Sequence, residues 1–236
     1  MRETVLLVFA KEPRPGEVKT RLSPPLSDSQ AARCQQAFLE DSLRRLRTLT
    51  EQGVALTLVA TPEGDCPWLE QLAERGGAGL LWQGAGDLGQ RMHRAMQREC
   101  SAGRGAVILG SDSPDLPLDY VRSAIESLRS GRIVIGPSDD GGYYLIAAAG
   151  EVPPVFALGC DWGSSQVFEE SVSKLEAVGC DYQVLPRWPD VDRFADLRGL
   201  AARLASDASP EAGDARMFPR ETQRVLAQLV SEGVAL

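Results

Sequence analysis

Short aliphatic runs alternate with longer amphipathic stretches along most of this 236-residue chain, and few folds accommodate that rhythm. The runs at 4–10, 54–60, 79–83, 106–110, 133–136, 143–148 and 182–185 have strand length and are rich in aliphatic side chains. Between them lie helical stretches. The first starts at Ser27 or Asp28 and turns one apolar face through Ala37, Phe38, Leu43 and Leu46; others cover 65–74, 88–98 and 118–128, and another starts near Ser164. Strand and helix in alternation predict an α/β fold: a mostly parallel central sheet with helices on both faces, and ligands at the carboxyl ends of the strands. With 43% hydrophobic residues the chain can bury one sizeable core, and no linker or repeat interrupts it, so a single domain spanning 1–236 is expected. An Ala/Ser/Asp-rich stretch at 206–214 sets off a C-terminal helical extension, 206–236.

Several functional classes are disfavoured by composition. No apolar run approaches a membrane span and the N-terminal strand is too short for a signal-peptide core, which gives the expectation of a soluble, cytoplasmic protein. A net charge of -8 argues against nucleic acid as partner. The five cysteines are scattered, with no C-x-x-C pair, and read as reduced structural residues. One histidine, His93, rules out an imidazole metal cluster and reads as a helix-surface or packing residue.

Against that acidic background, the loop after the first strand is basic. Lys11, Arg14, Lys19 and Arg21 crowd one turn shaped by Pro13, Pro15 and Gly16. At the carboxyl end of a parallel strand, such a loop suits an oligophosphate. It is not a P-loop: the glycines of that motif would fall at Pro13 and Val18, and Pro24-Pro25 would break its helix. If Val18 and Thr20 alternate with Lys19 and Arg21, the two cations point to one side, over the first strand. As exposed charges, they are expected to contribute little to stability.

Three acidic segments follow later strands. In Gly110-Ser111-Asp112-Ser113-Pro114-Asp115-Leu116-Pro117, Asp112 stands just past a buried strand, placed to offer oxygen to Mg2+ or Mn2+, while Asp115 reads as the cap of the next helix. Gly136-Pro137-Ser138-Asp139-Asp140-Gly141-Gly142 is a glycine turn between strands. It is either structural or a place where Gly141 and Gly142 admit an acceptor and Asp140 orients or deprotonates it. In Trp188-Pro189-Asp190-Val191-Asp192, Asp192 either caps the helix that this segment opens or closes a metal site opposite Asp112.

Taken in order, these four segments resemble the bacterial DUF2064 family of glycosyltransferase-A-fold proteins, over about residues 4 to 200. More distantly, the chain is similar to molybdopterin-cofactor and phospholactate guanylyltransferases. The resemblance implies a nucleotide-diphospho-sugar-transferase fold, a nucleotide over the first loop, and a divalent cation near Asp112. It also implies that Gln83 and the segment from Asp87 through Met92 lie near the base or ribose. The family's Asp-Val-Asp-Thr reads Asp-Val-Asp-Arg here, with Arg193 in place of Thr.

The expected function is a Mg2+- or Mn2+-dependent transferase using a nucleotide-activated donor and a small-molecule or glycan acceptor. Lys11, Pro15, Gly16, Gln83, Asp87, Arg91, Gly141 and Gly142 would bind substrate; Lys19, Arg21 and Asp140 would act in transfer; Asp112 and Asp192 would hold the metal. Glycosyl transfer leads, with nucleotidyl transfer as the alternative. Two other classes stay open: a nucleotide-binding module without catalysis, and an NAD-dependent reductase, because Gly84-Ala85-Gly86-Asp87-Leu88-Gly89 satisfies the dinucleotide fingerprint G-x-G-x-x-G.

Overall fold

The computed structural model describes residues 3–50, 53–206 and 218–236. Seven strands form one sheet: β1 Thr4–Lys11, β2 Val54–Thr61, β3 Gly79–Trp82, β4 Gly105–Leu109, β5 Ile133–Pro137, β6 Tyr143–Ala149 and β7 Tyr182–Val184. Their order across the sheet is β3-β2-β1-β4-β6-β5-β7. Every neighbouring pair is parallel except those made by β6, which runs antiparallel to β4 and β5. The reversal follows from the Asp140-Gly141 turn, where Gly141 takes φ 91° and β5 folds back on itself.

Helices cover both faces. On one, α1 (Asp28–Thr50), α2 (Pro67–Gly76) and α4 (Leu118–Arg129) bury Leu39, Leu43, Leu69, Val121 and Leu128 against Leu6, Val8, Leu58 and Leu109. On the other, α3 (Leu88–Ser101) and α5 (Val167–Ala177) pack Met92, Met96 and Leu175 against Val5, Leu7, Ile108 and Ile146. β1 is buried on both faces, as expected of a central parallel strand whose sequence is a continuous aliphatic run.

A third apolar cluster lies away from the sheet. Ala31, Cys34 and Phe38 on α1 meet Leu197, Leu200 and Leu204 of α6 (Phe194–Ser206) and Val225, Leu226 and Leu229 of α7 (Arg220–Ser231). The chain thus behaves as one α/β domain whose last two helices pack on α1. The stretch expected to separate the final helix, 206–214, lies almost wholly outside the described residues. Among the described residues no helix is long and apolar enough to cross a membrane.

Candidate active site

Two cavities open at the carboxyl ends of β1 and β4 and share an edge made by Phe9, Leu88, Asp112 and Asp192. The first, about 380 Å³, is bounded by the basic loop, including Lys11, Lys19 and Arg21, and by Gln83 and Ser111. The second, about 230 Å³, is bounded by Tyr143, Tyr144 and Trp162, together with Asp140 and Asp190.

Lys19 is the centre of the first. Its side chain is only 5% exposed, and its Nζ lies 2.7 Å from Asp112 Oδ1 and 3.8 Å from Asp192 Oδ1. It also donates to the Val191 carbonyl at 2.7 Å. Among the described residues it is the one non-glycine residue with positive φ, 49°. A left-handed lysine carries a backbone cost of about 1–3 kcal/mol, and such strain gathers where geometry serves a site. Here the left-handed turn delivers the ammonium inward. This revises the reading of Lys19 as an exposed charge with no part in stability: it ties the basic loop to both acidic segments. Arg21 does match that reading, since its side chain is 62% exposed and its Nη1 donates to Asp192 Oδ2 at 2.8 Å.

Hydrogen bonds to backbone carbonyls fix the acidic segments to one another. Val191 N donates to the Asp112 carbonyl at 2.9 Å, Ser113 Oγ to the Pro189 carbonyl at 3.0 Å, and Trp188 N to the Pro137 carbonyl at 3.1 Å. In this way three loops distant in sequence present Asp112, Asp140, Asp190 and Asp192 side by side. Carboxylate oxygens of Asp140, Asp190 and Asp192 lie within 4.8 Å of one another. Burial first, then the nearby Asp140, and less strongly Asp192 and Asp112, push the Asp190 carboxyl up to about 6, against the lowering effect of a backbone hydrogen bond.

Asp190 was missed by the sequence reading. A signal was there: in an extended Asp-Val-Asp, residues two apart point the same way, so Asp190 and Asp192 share a face. Neither helix-cap expectation for these segments holds. Asp115 accepts from Arg203 Nε at 2.7 Å and from Trp188 Nε1 at 3.3 Å, and α4 begins at Leu118 with no side-chain cap. At α6 the capping carboxylate is Asp196, which accepts from the backbone N–H groups of Asp192 and Arg193. Asp192 is left facing the cations.

Other expected site residues are used for support. Gln83 lines the first cavity, but its amide is fully engaged: Nε2 donates to the Ala10 and Val59 carbonyls, and Oε1 accepts from Arg91. Asp87 caps α3 in a reciprocal pair with Gln90, and neither Asp87 nor Arg91 lines either cavity. Pro15 and Gly16 shape the basic loop without lining a cavity, and Arg14 turns away onto Glu12 at 2.6 Å. Gly142 N donates to Asp140 Oδ1 at 2.8 Å, while Gly141 lies so close to Ser165 that a Cβ would come within 2.2 Å of its carbonyl oxygen. The fingerprint glycines have local reasons as well: a Cβ on Gly86 would meet Gln90 Oε1 at 2.2 Å, and one on Gly89 would meet the Trp162 ring at 2.4 Å.

This architecture, with a basic loop after the central strand facing acidic loops across a sheet crevice, is that of the nucleotide-diphospho-sugar-transferase fold. A protein from Desulfovibrio desulfuricans G20 provisionally assigned as a nucleotide-diphospho-sugar transferase superposes with TM-score 0.82 at 32% identity, over 98% of this chain and 96% of its own. A cytidylyltransferase from Leptospira borgpetersenii (TM-score 0.56, 12% identity, 99% and 96% covered) shares the fold. So does the glucosyl-3-phosphoglycerate synthase of Mycobacterium tuberculosis solved with Mn2+, UDP and phosphoglyceric acid (0.55, 14%, 90% and 81%). The chain belongs to the DUF2064 family, described as uncharacterized proteins conserved in bacteria, whose profile matches residues 43–164. No protein of curated function matches the sequence.

Proposed function

We propose that the chain is a transferase that moves a glycosyl group from a nucleotide-activated sugar to an acceptor, with Mg2+ or Mn2+ as its metal. One observation supports this reading above the others: a basic cavity and an aromatic cavity abut along Asp112 and Asp192. A donor diphosphate over Lys11, Lys19 and Arg21 then has its reactive end at the wall shared with an acceptor.

The donor set fits the metal. Clustered carboxylate oxygens without nitrogen or sulfur are the chemistry of Mg2+ and Mn2+. Asp192 would hold the ion with Asp190 or Asp140 from the clustered set, Asp112 joining them from its pairing with Lys19, and the bound ion would supply charge for the donor phosphates. Lys19 and Arg21 neutralise the negative charge that grows as the nucleoside diphosphate leaves, and both are held in advance by carboxylates and the Val191 carbonyl. Asp140 takes a hydrogen bond from the acceptor hydroxyl and orients it, its own carboxylate being fixed by Ser138 and Gly142.

The test is to incubate the protein with a set of nucleotide-sugars and Mn2+ and to identify the phosphate product. Release of nucleoside diphosphate is the expected result. Release of pyrophosphate from nucleoside triphosphates plus a sugar phosphate moves the reading to nucleotidyl transfer, and turnover with NADH in place of either moves it to the reductase.

A further inference from the structure

The second cavity differs in character from the first, and the difference bears on which acceptors it can hold. Among the described residues that line it, none is Lys, Arg or His, whereas four are aspartates: Asp112, Asp140, Asp190 and Asp192. The cations that reach its aspartates do so from the first cavity, Lys19 at Asp112 and Asp192 and Arg21 at Asp192, while the exposed Arg187 spends its Nη1 on the Ser138 carbonyl. Asp140 and Asp190 are the two carboxylates of this wall with no cation partner among the hydrogen bonds and ion pairs of the described residues.

The opposite wall is apolar and aromatic. Trp162, in the loop between β6 and α5, packs against the first turn of α3, where a Cβ at position 89 would meet its ring at 2.4 Å. It meets Tyr143 edge to face, with centroids 6.2 Å apart and planes at 87°. The loop is pinned at its far end, since Phe168 N donates to the Gly141 carbonyl at 2.9 Å and Ser165 packs on Gly141 itself. Trp162 is thus a fixed, half-buried platform. Burial raises the phenols of Tyr143 and Tyr144, so both remain neutral.

Carboxylates only accept hydrogen bonds, so a ligand here must donate them, and it must offer an apolar face to the ring. From this we infer that the second cavity takes a hydroxyl-bearing acceptor carrying neither phosphate nor carboxylate, stacked on Trp162: a neutral sugar or glycoside. The inference rests on the transferase reading and deepens it by giving the acceptor's class. An acceptor phosphate would face Asp140 and Asp190 with no Lys, Arg or His lining the cavity to pair with it, which disfavours acceptors bearing one.

Saturation-transfer NMR tests this with matched pairs: the methyl glycosides of glucose, galactose, mannose and N-acetylglucosamine, and the 6-phosphate of each. At least one neutral member is expected to bind. Every 6-phosphate is expected to bind about tenfold more weakly or not at all, and Trp162→Ala to weaken the neutral ligand about tenfold. Trp162→Phe, which keeps an aromatic face and controls for folding, is expected to retain most of the binding. Equal or tighter binding of a phosphate ester, no binding of any neutral member, or binding indifferent to Trp162→Ala overturns the inference. The donor reading is judged separately, by whether nucleoside diphosphates with Mn2+ raise the melting temperature of the unaltered protein.

Discussion

Replacing Lys19 by alanine removes a buried ammonium that faces two carboxylates and a carbonyl, and two effects are expected from it. Because Asp112 and Asp192 are partly open to solvent, the loss of stability is moderate, about 1–3 kcal/mol by urea denaturation. Binding of nucleoside diphosphate falls more than tenfold by calorimetry, while nucleoside binding is nearly unchanged. Arg21→Lys, at an exposed position, leaves stability intact yet weakens the diphosphate, because lysine cannot make two parallel hydrogen bonds. Normal diphosphate binding in both variants would place the nucleotide elsewhere. At the neighbouring acid the sign is opposite. The folded state holds Asp190 at about 6, above its ordinary 3.8, so stability is lost as pH rises between those values. In EDTA, Asp190→Asn is expected to melt higher than the unaltered protein at pH 8, with the gain gone below pH 4; an equal or lower melting point at pH 8 contradicts the assignment.

Among the elements, those with a clear period were the legible ones. β1, β2 and β4 showed as continuous aliphatic runs, and α3 and α4 as one-sided stripes, so their bounds differ from expectation by only a few residues. Side-chain contacts between distant loops were not legible. Nothing near Gly89 in sequence announces that the ring of Trp162 rests on it, and nothing near Asp192 announces that it meets Lys19 and Arg21 while Asp196 takes the N–H groups ahead of α6. The same holds for Asp41, fully buried on α1, which accepts from the first backbone N–H groups of α7, at Glu221 and Thr222, and pairs with Arg44. Asp41→Ala is expected to cost about 2–4 kcal/mol and to speed amide exchange in α7 ahead of the sheet. Uniform exchange across both would show that α7 is not held this way.

For the whole molecule, exposure predicts which thiols react. Cys34, Cys66 and Cys100 are buried, and burial pushes the Cys34 thiol up to about 12, whereas Cys160 and Cys180 are partly open. A thiol reagent at pH 8 is therefore expected to label Cys160 and Cys180 in the native protein and all five after denaturation. Labelling of Cys34 before unfolding would contradict its packing. The sheet order has a further consequence, for the time at which the protein becomes competent during synthesis. β1 leaves the ribosome first, yet it lies in the interior of the sheet and must wait for β2 on one side and β4 on the other. The basic loop is likewise made before the acidic segments, and the aspartates that meet Lys19 emerge in two instalments, Asp112 and then Asp192. A nascent chain arrested before residue 188 can already pair β1 with β2 and β4, but its lysine faces a half-built wall, so ligand capture is expected to begin only after the segment 188–192 has emerged.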